Sequence, residues 1–561
     1  MLKNIQTTLI NQLQTKTTLE ITNVNIFVGP NSSGKSIFLK ELNNYLTLSN
    51  VEFNNNYDAK IIDTIEFSSI TLEDQLQYIN SLGGSINKEQ YNADNWNSLR
   101  LDNFSYNIAI SPIYNAFNSS ESNRDRVEYF DNFFTLYLNG QTRLTMLQSI
   151  DFSPYDKSLL SPFAKMYHHK DLYDEFKEYI KDAFDLFTYF RIDGSYIEFV
   201  FSRTSAPEDF DEFSLKPEST EFLKKCLTHN DLSDGQRSYI GILLQLLAGN
   251  PETIIIDEVE AFLHPPLARK LGSLISKIAN DTNKQIFLST HSPNIILGAI
   301  QSGAKTNIIR LTYDGTIGRS TIIDSKHLTS IMAHPLIRST SFLDALFYKN
   351  AIVTESDSDR AFYQEINFRL SKFTPEKSIT DCIFLNAQNK QTVGTLVREL
   401  RNLGVPTASI IDLDFIKDGG SVFTEYLSSV NIPKTLHKTI ETSKTTVQNY
   451  YKNLHDDFKT LKSKGISALQ GEDLSPAELL LETLGKYGQF PVPVGELECW
   501  LPQVESHNHG SKWLIKKFEN LGFDEFSSDY IKPENNDVWE FISKINQWLE
   551  NSQRSGMLST N

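Results

Sequence analysis

Short apolar runs that end in glycine or polar residues recur along the first half of the chain. The run in "NVNIFVGPNSSGKSIFLKEL" leads into a glycine-rich loop and then into the periodic apolar positions of an amphipathic helix. Two similar runs occur in "ETIIIDEVEAFLHP" and "KQIFLSTHSPNII". Short apolar runs bounded by turn residues are typical of buried strands. The pattern therefore predicts a sheet whose strands lead into polar loops.

The alternation of strand and helix returns after residue 325. Apolar runs begin "AIVTESDSDRAFYQEI" and "CIFLNAQNKQTVGTLVRELRNLGV", where each is followed by a helical pattern, and a third lies in "TASIIDLDFIKDGG". Strands that alternate with helices favour a parallel sheet, whose ligand sites lie at the carboxyl ends of the strands. We therefore predict an α/β fold for both halves of the chain.

Length and composition limit the classes of protein that fit. A chain of 561 residues is too long for one core, and 40% apolar residues are typical of globular domains. The sequence has no apolar run of membrane-spanning length, no signal-peptide pattern and three widely separated cysteines, so we expect a cytoplasmic protein without a membrane partner. The net charge of −17 requires any nucleic-acid surface to be local.

The glycine-rich loop fits the phosphate-binding pattern GxxxxGK[ST] at every fixed position. In such a loop, backbone N–H groups and the N-terminus of the next helix wrap the phosphates of a nucleotide. We expect Lys35 to reach the outer phosphates and the Ser36 hydroxyl to ligate Mg²⁺. The predicted cofactors are ATP and Mg²⁺, and the predicted binding residues are Gly29, Pro30, Asn31, Ser32, Ser33, Gly34, Lys35 and Ser36.

A phosphate-binding loop needs a second, acidic strand to hold the metal and orient water. Three isoleucines lead into Asp257, which suits the Mg²⁺ shell, and Glu258, which suits polarisation of the attacking water. A polar turn, "LSDGQ", opens an apolar helix just before this strand, and a later strand delivers His291 to the edge of the site. We predict Glu258 and His291 as catalytic residues.

These four motifs resemble the ABC-type ATPase head shared by Rad50/SMC proteins and RecF. The resemblance covers residues 1 to about 325, and it implies that two heads enclose ATP between them. Ser233 and Gly235 of one head would then reach the nucleotide held by the other. The turn departs from the family pattern LSGGQ because Asp234 replaces the first glycine. Gln75 and Gln77 are candidates for the glutamine that such heads place near the nucleotide.

Acidic residues follow two of the strands predicted after residue 325. Glu355 and Asp359 follow one strand, and Asp412 and Asp414 follow another. Carboxylates that converge at one sheet edge repel each other unless a divalent cation neutralises them. Such hard oxygen ligands favour Mg²⁺ or Mn²⁺. We predict a metal site formed by Glu355, Asp359, Asp412 and Asp414, where Glu355 either holds a metal or acts as the catalytic base.

A glutamate at one strand end and a DxD at a later one resemble the TOPRIM domain of topoisomerases, primases and nucleases of the overcoming-lysogenization-defect (OLD) family. Asp359 matches the additional acid that OLD nucleases carry, whereas Ser356 replaces the usual glycine. An ABC head followed by TOPRIM is the OLD architecture. The resemblance implies an ATPase domain at 1–325 with a helical, dimerising insertion at about 80–215, a linker at 326–348, a TOPRIM nuclease domain at 349–505 and a C-terminal helical segment at 506–561.

Further residues are candidates for completing the nuclease site. "GELECWLP" places Glu496 and Glu498 on a strand-like stretch, where they either join the metal site or form an exposed acidic face. Residues 434–465 hold seven lysines against three acids, and Tyr450 and Tyr451 among them either stack on bases or pack. A second candidate patch consists of Lys512, Lys516 and Lys517.

The main hypothesis is an ATP-regulated, metal-dependent endonuclease that forms a homodimer or higher oligomer and cuts nucleic acid, with DNA favoured over RNA. OLD-type proteins in bacteria often defend against phage, sometimes as the effector of a retron beside a reverse transcriptase and its DNA–RNA product. The alternative is an ATP-driven sensor or scaffold that binds nucleic acid or a defence partner without cutting. A metal-dependent cleavage assay separates the two hypotheses.

Overall fold

The computed structural model describes residues 2–7, 17–47, 61–67, 85–87, 98–100, 107–109, 135–152, 161–333, 341–504 and 511–557. The chain divides into two compact units. The first comprises residues 1–28 and 32–325, and the second comprises residues 326–561 together with residues 29–31. In the described part of the chain, no helix is both long and apolar enough to cross a bilayer.

Nineteen strands and seventeen α-helices are described. The strands are β1 Leu2–Thr7, β2 Thr17–Glu20, β3 Val24–Val28, β4 Ile62–Phe67, β5 Ser85–Asn87, β6 Ser98–Arg100, β7 Asn107–Ala109, β8 Thr135–Leu138, β9 Ile150–Asp151, β10 Phe187–Asp193, β11 Tyr196–Ser202, β12 Thr253–Ile256, β13 Gln285–Ser289, β14 Thr306–Tyr313, β15 Gly318–Asp324, β16 Asn350–Thr354, β17 Cys382–Asn386, β18 Thr407–Ile411 and β19 Gln489–Pro491. The helices are α1 Lys35–Thr47, α2 Thr142–Thr145, α3 Pro162–His168, α4 Lys170–Phe184, α5 Pro217–Lys225, α6 Asp234–Ala248, α7 Pro265–Thr282, α8 Pro293–Gln301, α9 Ser325–Met332, α10 Asp357–Phe373, α11 Lys390–Asn402, α12 Gly420–Ser429, α13 Lys434–Asn453, α14 Lys459–Lys464, α15 Leu474–Lys486, α16 Ser511–Leu521 and α17 Asp537–Glu550.

A six-stranded sheet organises the first unit, in the order β15-β14-β3-β13-β12-β8. Strand β14 pairs antiparallel with β15, and the other neighbours are parallel. Strands β3, β12 and β13 are buried along their whole length. Continuous apolar runs are typical of parallel strands that are covered on both faces. The phosphate-binding loop and the acidic loop thus follow strands that flank β13 on either side.

The region predicted as a helical insertion, about 80–215, differs from that prediction. It contains strands β5 to β11 as well as helices α3 and α4. Strand β8 lies at the edge of the six-stranded sheet, where it pairs with β12, and β10 and β11 form an antiparallel hairpin. The segment "DLYDEFKEYIKDAFDLFTYF" begins as helix α4 but ends in β10. Its bulky apolar residues favour the strand at this end.

Four parallel strands form the sheet of the second unit, in the order β17-β16-β18-β19. The prediction of an α/β fold rich in parallel strands is therefore confirmed. The carboxyl ends of β16 and β18, which are neighbours, carry the two acidic clusters. The C-terminal helices pack into this core, where Trp500, Trp513 and Trp539 are almost fully buried.

Candidate active sites

The phosphate-binding loop connects β3 to α1, which begins at Lys35. Gly29 and Gly34 have φ values of 142° and 95°, and Ser32 also lies in the left-handed region at 59°. Glycine adopts such angles without strain, which explains its use at two of these positions. Pro30 is buried, whereas Asn31 is exposed. The loop has the backbone form that a phosphate cradle requires.

The Lys35 ammonium group is buried within this loop. Its Nζ lies 3.3 Å from the Ser33 hydroxyl. Burial lowers the pKa of Lys35 to about 8, against the opposing charges of Glu260, Asp257 and Glu258. A cation that is partly stripped of water attracts phosphate more strongly than a solvated one.

Ser36 and Asp257 are brought together as the sequence predicts. The Ser36 hydroxyl donates to Asp257 Oδ1 at 2.9 Å, and the Ser289 hydroxyl donates to the same oxygen at 2.6 Å. A hydroxyl and a carboxylate in contact are the protein ligands that Mg²⁺ takes in phosphate-binding loops. The pair therefore fits the predicted magnesium ion.

Glu258 follows Asp257 in a loop of unusual geometry. Its φ of 52° is rare for a residue with a side chain, and the side chain is exposed. The Glu258 N–H donates to Ser289 Oγ at 2.7 Å, while its carbonyl accepts from Nη1 of Arg143 at 2.9 Å. The peptide groups on both sides of the glutamate are thus fixed.

Glu260, which the sequence analysis did not select, ties the acidic loop to His291. Its carboxylate accepts hydrogen bonds from the Thr290 hydroxyl at 2.6 Å and from the His291 N–H at 2.5 Å. Burial, and then the charge of Lys35, lowers the pKa of His291. His291 thus lies beside the acidic loop, and its catalytic role stays a prediction. The run "DEVE" was the available signal for Glu260.

The polar turn forms the N-terminus of helix α6. Ser233 caps the helix, and Ser233 and Gln236 form a reciprocal capping box. A side chain at Gly235 would meet the carbonyl oxygen of Phe262 at 2.5 Å, so only glycine fits there. Asp234 forms an ion pair with Arg237 on the same helix. The turn is therefore held against the acidic loop of its own unit.

Strand β8 brings further polar residues to the edge of this site. The backbone N–H of Asp257 donates to the Leu138 carbonyl at 3.0 Å, which places the end of β8 beside the acidic loop. Asn139 and the exposed Gln141 follow soon after Leu138. Gln75 and Gln77 lie outside the described residues.

In the second unit, Glu355 and Asp412 meet at the carboxyl ends of β16 and β18. The Asp412 N–H donates to Glu355 Oε1 at 3.0 Å. Burial raises the pKa of Glu355 to about 7. Burial, followed by the charges of Glu355, Asp359 and Asp414, raises the pKa of Asp412 to about 9. The carboxylates therefore converge and repel each other, as the sequence predicts.

Asp359 has a structural contact in addition to its place near this cluster. It is the third residue of helix α10, and its Oδ2 accepts from the N–H and the hydroxyl of Ser356 at 3.0 and 2.6 Å. Ser356 is thus the cap of α10. Burial raises the pKa of Asp359.

Lys390, which the sequence analysis missed, contacts the second half of the cluster. Its Nζ lies 2.7 Å from Asp414 Oδ1 and 3.0 Å from Asp418 Oδ2. Among the described residues, no three acidic, histidine or cysteine side chains stand close enough to enclose an ion. The donor set, four partly buried carboxylates, suits a hard divalent cation.

Glu498 lies in a 3₁₀ turn, Leu497–Cys499, and Glu496 is the residue that precedes this turn, so the prediction of a strand there is wrong. The glycine and the proline of this stretch favour a turn, and the chain turns at Trp500. These features outweigh the alternation of apolar and polar residues in the sequence. Both acids nevertheless act on the cluster: burial, with a smaller contribution from the charge of Glu496, raises the pKa of Asp412, and burial, with a smaller contribution from Glu498, raises that of Asp359. Lys462 forms an ion pair with Glu496.

Part of the lysine-rich segment, residues 434–465, faces the core. Tyr451 is fully buried and donates to the Gly465 carbonyl, so it packs and does not stack on bases. Lys444 is buried and donates to the Asp418 carbonyl. The prediction that Lys517 belongs to a surface patch is also wrong. Its buried ammonium group donates to the carbonyls of Trp500, Leu501 and Val504.

A family model described as "AAA domain, putative AbiEii toxin, Type IV TA system" matches residues 24–297. The match includes the phosphate-binding loop, the acidic loop and His291. The first unit contains a P-loop ATPase domain. The predicted ATP-binding function of this unit is confirmed by the match.

Curated relatives match a shorter part of the chain. The phosphonates import ATP-binding protein PhnC 2 of Synechococcus sp. (strain JA-2-3B'a(2-13)) is 31% identical over 90 residues, which are 16% of this chain and 33% of that protein. The methionine import ATP-binding protein MetN of Streptomyces coelicolor is 29% identical over 87 residues, which are 16% of this chain and 24% of that protein. The chain thus spans a third or less of the length of these relatives.

Solved structures of ATPase heads align with low identity. The SMC head domain from Thermotoga maritima covers 58% of this chain and 99% of its own, at 12% identity and a TM-score of 0.31. The dimeric ABC transporter cassette MJ0796 covers 57% of this chain and 97% of its own, at 14% identity and a TM-score of 0.25.

Proposed function

We propose that the protein is an ATP-regulated, divalent-metal-dependent endonuclease of the OLD type. The ATPase domain binds and hydrolyses ATP, and its nucleotide state controls a nuclease in the second unit. In this proposal residues 349–505 form the TOPRIM domain and residues 506–561 complete its core. Four parallel strands with acidic residues at the carboxyl ends of two neighbours support this assignment.

The observation that carries the proposal is the contact between Glu355 and Asp412. Fifty-seven residues separate them in the chain, and yet the Asp412 N–H lies 3.0 Å from the Glu355 carboxylate. Burial of two neighbouring carboxylates is unfavourable for folding, and such arrangements are common at functional sites. A bound divalent cation supplies the counter-charge and lowers the pKa of its water, so that hydroxide is present at neutral pH.

The residues of the site take distinct roles in this proposal. Glu355, Asp412 and Asp414 hold the cation, Asp359 contributes to a second ion, and Glu355 is the alternative base. Lys390 is placed to contact a phosphodiester once Asp414 turns to the cation, since an ammonium group is a compact phosphate ligand. The exposed lysines of α13 and α14 provide a local basic surface in an acidic protein.

The ATPase domain is proposed to work as an oligomer. Lys35 and Ser36 bind the phosphates and magnesium, Glu258 polarises water, and Ser233 and Gly235 contact the nucleotide of a second copy. The Ser233 cap supports this, because it leaves the N-terminus of α6 in the exposed polar turn. The substrate is proposed to be DNA, with RNA as the alternative.

A role in defence against phage is supported only by the description of the matched family. The matched family is described with the words AbiEii toxin and Type IV TA system. A nuclease whose activity depends on nucleotide state is one kind of toxin that would fit that description. A retron, with a reverse transcriptase and its DNA–RNA product as partners, is one genetic setting for such an effector.

The test is cleavage of supercoiled plasmid, single-stranded DNA and tRNA in Mg²⁺ and in Mn²⁺. Asp412→Ala should remove cleavage and leave ATP hydrolysis within about twofold, because the two sites hold separate cations. Glu482→Gln is the matched control, since this exposed glutamate pairs only with Lys486 in the described structure. Wild-type cleavage by Asp412→Ala, or no cleavage of any substrate by the wild-type protein, contradicts the proposal.

One observation favours a second function, an ATP-driven sensor or scaffold that binds nucleic acid without cutting it. Lys390 supplies Asp414 and Asp418 with a counter-charge from the protein itself. A protein of this kind binds each substrate with the same affinity in EDTA and in Mn²⁺, and it leaves all of them intact.

A further inference from the structure

Arg143 lies beside the ATPase centre and belongs to none of the sequence motifs. It is in α2, just after the edge strand β8, and its side chain is 0% exposed. Nε donates to the Asn139 carbonyl at 3.1 Å, and Nη1 donates to the Glu258 carbonyl at 2.9 Å. Among the described residues, Nη2 has no hydrogen-bond partner. A buried unpaired donor is costly, and in native proteins it marks strain or function.

The backbone that Arg143 contacts is itself strained. A residue with a side chain at a φ of 52° is strained, and it persists only where surrounding contacts fix it. At Glu258, Ser289 holds the N–H and Arg143 holds the carbonyl. Relaxation of this residue to ordinary angles would turn its carboxylate to a new direction.

In the described structure, the guanidinium group of Arg143 is not used for an ion pair. Carboxylates of Glu260, Asp257 and Glu258 act on it electrostatically, and burial lowers its pKa. None of the ion pairs of the described structure includes it, although Arg is the residue that suits paired carboxylates best. Arg143 instead donates hydrogen bonds to two carbonyls, so its guanidinium group holds the backbone in place.

Helix α6 packs against Arg143 from the other side. A side chain at Gly241 would lie 2.9 Å from the Arg143 carbonyl oxygen and 3.0 Å from Met146. This close approach leaves α2 little freedom to shift against α6. Arg143 therefore lies between helix α6, which begins just after Ser233, and the loop that carries Glu258.

We infer that Arg143 is a positioning residue for ATP hydrolysis, which sets the direction of the Glu258 carboxylate by holding its carbonyl group. The inference rests on the proposed role of Glu258. The side-chain hydrogen bonds described for Arg143 go to the carbonyls of Asn139 and Glu258, and not to Ser36 or Asp257. Its loss should therefore act on the chemical step and leave ATP binding in place. Misplacement of a catalytic group by about 1 Å can cost on the order of 100-fold in rate.

The experiment measures ATP hydrolysis by the full-length chain carrying Arg143→Lys or Arg143→Met. We expect kcat to fall about 10-fold for lysine, which cannot span both carbonyls, and further for methionine, with KM for ATP changed by less than about threefold. Arg401→Met is the matched control, because Arg401 is equally buried and also binds carbonyls, but in the second unit. It should leave kcat unchanged.

A mutant cycle separates positioning from a general structural role. In a Glu258→Gln background, Arg143→Lys should leave the residual single-turnover hydrolysis unchanged, because the group that Arg143 directs is already lost. Equal fold-losses from Arg143→Lys in both backgrounds would overturn the inference, and so would normal kcat for a folded Arg143→Lys or a rise in KM alone. Arg143→Lys keeps the test decisive if Arg143→Met does not fold. Normal hydrolysis by Glu258→Gln alone would instead contradict the proposed role of Glu258.

Discussion

Replacing Asp412 by asparagine should stabilise the metal-free protein at alkaline pH. Burial and the charges of Glu355, Asp359 and Asp414 raise the pKa of Asp412 from 3.8 to about 9. A carboxyl group with a raised pKa binds more protons in the folded than in the unfolded state between these two values. The free energy of unfolding therefore falls as the pH rises from about 4 to about 9. Asparagine is neutral at every pH and escapes this cost.

The size of the effect follows from the pH interval. Between pH 5 and pH 8 the free energy of unfolding that is lost through Asp412 grows by at most about 1.4 kcal/mol for each pH unit, or about 4 kcal/mol in all. Solvent penetration and sharing of the proton with Glu355 reduce this, so we expect on the order of 2 kcal/mol. For a unit of this size that corresponds to about 4–8 °C in melting temperature.

The assay is thermal unfolding in EDTA and in Mn²⁺ at pH 5 and pH 8. The advantage of Asp412→Asn should be larger at pH 8 than at pH 5 in EDTA, and the stabilisation that Mn²⁺ gives to the wild-type protein should be lost. Asp344→Asn is the matched control. Burial raises the pKa of Asp344 as well, but it lies outside the cluster, so its Mn²⁺ response should stay intact. Asp412→Asn that melts below the wild type at pH 8 in EDTA would refute the reasoning.

Three further predictions concern other residues. Lys35→Ala should abolish ATP binding in equilibrium dialysis, because the buried cation of the phosphate loop is lost. Glu258→Gln should retain ATP and hydrolyse it at least about 100-fold more slowly in a phosphate-release assay. Burial lowers the pKa of Lys284 to about 7, so the free energy of unfolding should rise between pH 7 and pH 10.5, and Lys284→Met should flatten that rise in denaturant titrations.

The motifs whose chemistry depends on consecutive residues were predictable from sequence. The loop that ends in Lys35 and Ser36 is a local structure, and its spacing allows few other interpretations. Glu355 and Asp412 were predictable for a different reason: parallel strands bring their carboxyl ends to one edge, so two strand-end acids meet even across a long connection.

Residues that act through tertiary contacts escaped prediction. Arg143 reaches Glu258 only because β8 pairs with β12, and nothing in "TLYLNGQTRLT" indicates that pairing. Lys390 opens helix α11 and looks like an ordinary surface lysine in the sequence. Glu496 was placed on a strand because alternation suggested one, but the chain turns there into the buried Trp500.

The carboxylates of the two acidic clusters are held in opposite ways. In the ATPase domain, hydroxyls of Ser36 and Ser289 already donate to Asp257, so the carboxylate is satisfied before magnesium arrives. In the second unit, burial and repulsion between neighbouring carboxylates raise the pKa of Asp412. We therefore expect the ATPase site to take up its cation together with the nucleotide. A strained cluster gains stability from the cation itself, so divalent metal should stabilise the second unit even without ATP or nucleic acid.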